Sequence, residues 1–195
     1  MTPTQPVEIR PVTLVVVRHA ETDSSKPNLP LSAVGEKRAQ ILSDSVRGIR
    51  FTHVIGTHTM RTRQMLETTA RRLSLPVVQL PEPGSQWEKE TVTDQTSRRA
   101  PIKPVAAAAV RALPPGSVAL LALNSENIYA IFNELGVPAA LPGKPCETGS
   151  MCVPCVDNTC YPRSEFDYLW QIVLAPGNAK PIAFTEVRYG QGWRP

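Results

Sequence analysis

Leu14-Val15-Val16-Val17-Arg18-His19-Ala20-Glu21-Thr22 is an unbroken apolar run that ends abruptly in a cation and an imidazole. Three β-branched valines in succession suit a strand better than a helix. A strand that is apolar at every position, rather than at alternate ones, is buried on both faces, as strands of a parallel sheet are. Ligand sites in open α/β sheets lie at the carboxyl ends of the strands. Arg18 and His19 stand at such an end, placed to bind or attack a phosphate.

Outward from this run, strands alternate with helices. Asp23–Pro30 is polar and reads as a loop. Leu31-Ser32 opens a helix with Ser32 as N-cap. Its inner side is read as Val34, Ile41, Leu42 and Val46, with Gly48 at its end. Thr52–Thr57 is a second strand. A helix from Met60 to Leu73 follows, with Met65, Leu66, Thr69 and Leu73 inward, and Pro76–Leu80 is a third strand. Glu82–Arg99 is polar and aperiodic. Val105–Leu113 is an Ala-rich helix stopped by Pro114-Pro115-Gly116. Ser117–Leu123 is another continuous apolar strand. After Asn124-Ser125, the i, i+3, i+4, i+7 spacing of Ile128, Ile131, Phe132 and Leu135 predicts a helix closed by Gly136. Phe166–Leu174 and Ile182–Arg188 read as closing strands. This alternation predicts an α/β layered sheet.

The composition bounds the answer. The chain has 195 residues, 42% apolar and 19% charged, which suits one globular domain, read here as residues 12–195 behind an N-terminal extension, 1–11. The 20 prolines cluster in loops, above all a Pro- and Cys-rich stretch at about 138–163. A formal charge of +4 is too small and dispersed to argue for nucleic acid, and suits a small anionic substrate. The N-terminus has no apolar core of a signal peptide. No run approaches the roughly 20 apolar residues of a membrane span. The expectation is a cytoplasmic protein without a membrane partner.

Three strand ends carry the chemistry: Arg18-His19, then Thr57-His58-Thr59-Met60-Arg61, then Asn124-Ser125. If the three strands are neighbours, these converge on one pocket. Arg18 and Arg61 would clamp phosphate oxygens bidentately, and His19 would be the nucleophile. Glu21, Thr22, His58 and Ser125 are candidate substrate contacts. His53 reads as a strand residue and Arg63 as solvent-facing.

These residues resemble a known family. Leu14–Thr22 resembles the Arg-His-Gly/Ala motif of the histidine phosphatase superfamily, also called phosphoglycerate mutase-like. Leu29–Ala39 is similar to that family's Leu-Ser/Thr-x-x-Gly-x-x-Arg/Gln-Ala helix start. Val54–Ala70 is similar to its second strand and Arg-Thr-Arg-Gln-Thr-Ala helix, with Met65 in place of the usual Thr. Phe166–Trp170 and Arg188-Tyr189-Gly190 resemble the last strands of the small, phosphohistidine-phosphatase-like members. The ordered set spans roughly Val12 to Gly190. It implies a three-layer, mostly parallel mixed sheet with helices on both faces. It further implies that His19 accepts a phosphoryl group bound by Arg18 and Arg61, with no catalytic cofactor.

One departure falls in the same pocket. Where family members carry Gly-His-Ser-Asn/Asp-Thr, this chain has Leu123-Asn124-Ser125-Glu126-Asn127. Asn124 takes the place of a second histidine. It can donate a hydrogen bond to a phosphate oxygen but carries no charge, and charge-assisted bonds are roughly twice as strong. The expectation is a weakened phosphatase of a small phosphorylated substrate. The alternative is an impaired member that binds a phosphorylated ligand or a protein partner. Glu82, where larger members place a glutamate, is the candidate general acid, with Glu88 beside Trp87 as the second.

Cys146, Cys152, Cys155 and Cys160 lie within fifteen residues, with one Cys-x-x-Cys pair. They could form a structural zinc site stapling the Pro-rich loop, or stay as thiols, or pair as disulfides in an exported protein.

Overall fold

The computed structural model of the chain describes residues 10–80, 102–138, 151, 165–177 and 180–190. Its elements are β1 (Val12–Arg18), α1 (Ala33–Ser45), β2 (His53–Thr57), α2 (Met60–Leu73), β3 (Val77–Leu80), α3 (Ile102–Arg111), β4 (Val118–Leu123), α4 (Ser125–Leu135), β5 (Tyr168–Leu174) and β6 (Pro181–Arg188). The six strands form one sheet in the order β3-β2-β4-β1-β5-β6. β3, β2, β4 and β1 run parallel, and β5 is antiparallel to both of its neighbours. This is the mixed, mostly parallel sheet expected of the sequence.

β1 explains its own composition. Val12, Leu14 and Val16 point into a core that α3 and α4 close with Ala106, Val110, Ile128, Ile131, Phe132 and Leu135. Val15 and Val17 point the other way, into a core that α1 and α2 close with Ala39, Leu42, Val46, Met65, Leu66 and Ala70. Successive side chains of a strand alternate between faces, so a strand covered on both sides must be apolar throughout. β4 repeats the arrangement: Leu121 and Leu123 face one core, Leu120 and Ala122 the other.

The inner face of α1 differs from the expectation. Val34 and Ile41 are exposed, at 58% and 44%. The buried positions are Gly35, Ala39, Leu42 and Ser43, a stripe of mostly small residues, and Val46 is buried at the C-cap, where the helix ends two residues before Gly48. The cause is a close approach. A Cβ on Gly35 would sit 2.2 Å from the Glu21 carbonyl oxygen. The helix can press on the β1–α1 segment only with small side chains beneath it. Ser32 caps it, its Oγ accepting from Gly35 N at 3.2 Å, and Ser32 N donates to Glu21 O at 2.9 Å.

The remaining boundaries fall close to those read from the sequence. α2 matches end to end, and α3 starts three residues earlier than expected. Among the described residues, no helix is long and apolar enough to cross a membrane.

Candidate active site

The sheet order makes β2, β4 and β1 consecutive neighbours, so their carboxyl ends meet. Arg18 pairs with Leu123 across β1 and β4, and Gly56 pairs with Ala122 across β2 and β4. His19 N continues the ladder by donating to Leu123 O at 3.1 Å. Arg18-His19, Asn124 and Thr57-His58 therefore occupy one end of the sheet. α2 and α4 start directly after β2 and β4, so both helix N-termini face that end, a disposition that favours an anion.

His19 is buried, and its Nδ1 lies 2.7 Å from the Ala20 carbonyl oxygen. A carbonyl only accepts, so Nδ1 carries the proton and Nε2 carries the lone pair. Burial is the main force that pushes the ring's pKa down, to about 3. The charges of Arg61 and Arg18 push the same way, against the Ala20 hydrogen bond and the Glu21 charge. The ring is neutral at ordinary pH. Two cations beside an imidazole that refuses a proton leave a positive field with no acid in it, which suits a phosphate dianion.

Arg18 is fixed from two sides. Its Nη1 donates to Glu165 O at 3.0 Å, and its guanidinium lies 4.2 Å from the centre of the Phe166 ring. The Phe166 ring is also 6.2 Å from that of His19. Glu165-Phe166-Asp167 is held in turn by Arg188, whose Nη1 donates to the carboxylates of Glu165 and, at 2.8 Å, Asp167. Tyr189 OH donates to Phe166 O at 2.7 Å. Arg61 stands in the first turn of α2, partly buried.

Asn124 is buried at the end of β4. Its Oδ1 accepts from Thr57 Oγ1 and Thr59 Oγ1, each at 3.2 Å. Thr62 Oγ1 lies 2.8 Å from Thr57 Oγ1 and 3.0 Å from Thr59 Oγ1.

The other expected contacts are distributed around this centre. Glu21 is gripped by Arg38, whose Nε donates to both carboxylate oxygens at 3.0 and 2.8 Å, and this holds the carboxyl below its usual range. Its charge still reaches His19. Thr22 bridges to Leu31 at the base of the 23–30 loop. His58 N donates to Leu80 O at 2.9 Å, which ties the β2 end to β3. Ser125 begins α4. His53 lies at the opposite end of β2, away from the site, and Arg63 is exposed. Glu82, Glu88 and the four cysteines lie outside the described residues.

Phe166, Glu165, Arg38 and the three threonines are site residues that reading the sequence did not single out. Arg38 had a signal, at four residues' remove from Val34 in the helix-start motif. The threonines had one in their clustering: Thr57, Thr59 and Thr62 within six positions at a strand end.

A model of the histidine phosphatase superfamily (branch 1) matches residues 14–101. No match was found among curated proteins. Among solved structures, the protein histidine phosphatase SixA complexed with tungstate has a TM-score of 0.55 to this chain at 16% identity, covering 90% of this chain and 96% of that one. The native mycobacterial glucosyl-3-phosphoglycerate phosphatase gives 0.53 at 14%, covering 92% and 99%. The phosphoserine phosphatase of Entamoeba histolytica in complex with 3-phosphoglyceric acid gives 0.55 at 11%, covering 90% and 98%. At such identities the likeness is one of fold.

Proposed function

We propose that this chain, which belongs to the histidine phosphatase superfamily, hydrolyses a small phosphomonoester by passing its phosphoryl group to His19 Nε2 and then to water. The observation that carries the reading is a buried, neutral His19 with Nδ1 locked on the Ala20 carbonyl, between the charges of Arg18 and Arg61.

In the first step the Nε2 lone pair forms a bond to phosphorus, and the bond from phosphorus to the leaving oxygen breaks. The leaving oxygen takes a proton, for which Glu82 and Glu88 are the candidate donors. The ring becomes cationic as Nε2 is phosphorylated, and the Ala20 carbonyl stabilises that charge through the Nδ1 proton. In the second step water gives a proton back to the carboxylate that supplied one and attacks phosphorus, the N–P bond breaks, and inorganic phosphate leaves a neutral His19. The arginines hold the equatorial oxygens throughout. The small substrate is supported by one neighbour's ligand, the 3-phosphoglyceric acid bound to the Entamoeba histolytica phosphoserine phosphatase.

Asn124 supplies a neutral donor to this site, so turnover is slow. Hydrolysis of p-nitrophenyl phosphate tests both points. His19→Ala should lower kcat by at least about 10³-fold, and equal rates for the two proteins would end the phosphatase reading. Asn124→His should raise kcat by about tenfold or more, since losing an oxyanion donor costs about 10²–10³ in other enzymes. Asn124 also favours a second reading, a pocket that binds a phosphorylated ligand without turning it over. Wild type that binds inorganic phosphate yet hydrolyses no faster than His19→Ala would establish that reading.

A further inference from the structure

Thr59 and Asn124 occupy the N-cap positions of α2 and α4, and neither side chain caps a backbone N–H of its own helix. Both residue types are good N-caps, whose usual partner is a backbone N–H two or three residues on. Here the two bond to each other, across a sequence separation of 65 residues, and Thr59 Oγ1 also lies 3.0 Å from Thr62 Oγ1 in the first turn of α2. Thr57 joins from the end of β2.

The direction of the bonds to Asn124 follows from its amide oxygen, which only accepts. Each threonine has one hydroxyl proton. Thr62 Oγ1 directs its proton to the Thr57 and Thr59 carbonyls, both at 2.9 Å. Thr57 Oγ1 and Thr59 Oγ1, themselves 3.1 Å apart, each lie 3.2 Å from Asn124 Oδ1 and donate to it. The carboxamide NH2 is the other branch of the same planar group and is left for a different partner. β4 lies between β2 and β1 in the sheet. The threonines are on the β2 side, and β1, from which His19 emerges, is on the other side.

We infer that Thr57 and Thr59 are positioning residues, which hold the Asn124 carboxamide with its NH2 toward the phosphoryl site beside His19. A rotated amide would put an oxygen lone pair against the anion. Thr62 supports the pair by standing within 3.0 Å of both hydroxyls. The inference rests on the phosphatase reading for the identity of the anion, and goes beyond it in giving a neutral residue a defined orientation and naming what sets it.

The test is tungstate binding by calorimetry, which requires no turnover, beside p-nitrophenyl phosphate kinetics. Thr59→Val deletes the donated proton at nearly constant volume, and Thr59→Ser keeps it. Thr59→Val should weaken tungstate binding about five- to tenfold, the worth of one hydrogen bond. Thr59→Ser should stay within about twofold of wild type. In an Asn124→Ala background, Thr59→Val should cause no further loss, because the residue it acts through is gone. Thr59→Ala makes the same deletion if the valine variant does not fold. Wild-type affinity in Thr59→Val, an equal loss in the Asn124→Ala background, or Thr59→Ser as weak as Thr59→Val would each overturn the inference. If His19→Ala hydrolyses as fast as wild type, the phosphatase reading fails, while the tungstate cycle still decides the orientation of Asn124.

Discussion

The Nδ1 proton of His19 is bound to Ala20 O, and burial with two guanidinium charges brings the ring's pKa down to about 3. In the unfolded chain a histidine titrates near 6.5. As pH falls below about 6.5, the unfolded state takes up a proton that the folded state refuses, so stability falls until about pH 3, where the folded ring titrates as well. The slope is at most about 1.4 kcal/mol per pH unit. By urea unfolding, wild type should lose about 2–3 kcal/mol more than His19→Gln between pH 6.5 and 4.5. Parallel stability curves for the two would show a ring already charged in the folded state. Arg18, His19, Arg61 and Asn124 were readable in the sequence because each stands at a strand end beside chemically unusual neighbours. Phe166 was not, and the threonines showed only as a cluster at a strand end, because their roles exist only in the contacts. Arg18 meets Glu165 across 147 residues, and Thr57 meets Asn124 across 67.

Two glycines at the level of the elements separate a rigid contact from a soft one. A Cβ at Gly35 would meet the Glu21 backbone oxygen at 2.2 Å, while one at Gly56 would meet Leu66 Cδ1 at 2.9 Å. A backbone carbonyl tied into a hydrogen-bond ladder cannot swing aside, whereas a leucine can change rotamer. Gly35→Ala should therefore cost about 3 kcal/mol of unfolding free energy, the upper end of the range for overpacking, and Gly56→Ala about 1 kcal/mol. Chemical denaturation of both variants checks the order, and a reversed order would show that α1 lifts off the β1–α1 segment at little cost. The same contact explains why the α1 face was misread. Periodicity places large apolar residues inward, but here the space beneath the helix is filled by backbone, so Val34 and Ile41 turn out. α2 was legible from end to end because its buried face carries Met65, Leu66, Thr69 and Ala70 at helical spacing.

At the scale of the molecule, the sheet divides the interior into two cores, each closed by its own pair of helices. Substitutions on opposite sides share no partners and should add. Leu42→Ala, in the α1–α2 core, should cost about 2–5 kcal/mol and Ile131→Val, in the α3–α4 core, about 0.5–1.5 kcal/mol. The double variant should equal their sum to within about 0.5 kcal/mol in urea unfolding. A larger discrepancy would mean that the sheet transmits strain between its faces. The α/β class and the parallel strands were legible from the continuous apolar runs, but the place of β5 was not, because an antiparallel strand covered on both faces has the same composition as a parallel one. That place has a consequence for synthesis. β1 pairs with β4 on one side and β5 on the other. The strand that carries His19 therefore leaves the ribosome about 100 residues ahead of its first partner, and at about 5–20 residues per second it waits about 5–20 s with both edges bare. β1 is the first of these strands to be made, and both of its partners follow β2 and β3. The step at which a nascent copy of this protein is most open to aggregation or chaperone capture is thus the step that builds its nucleophile.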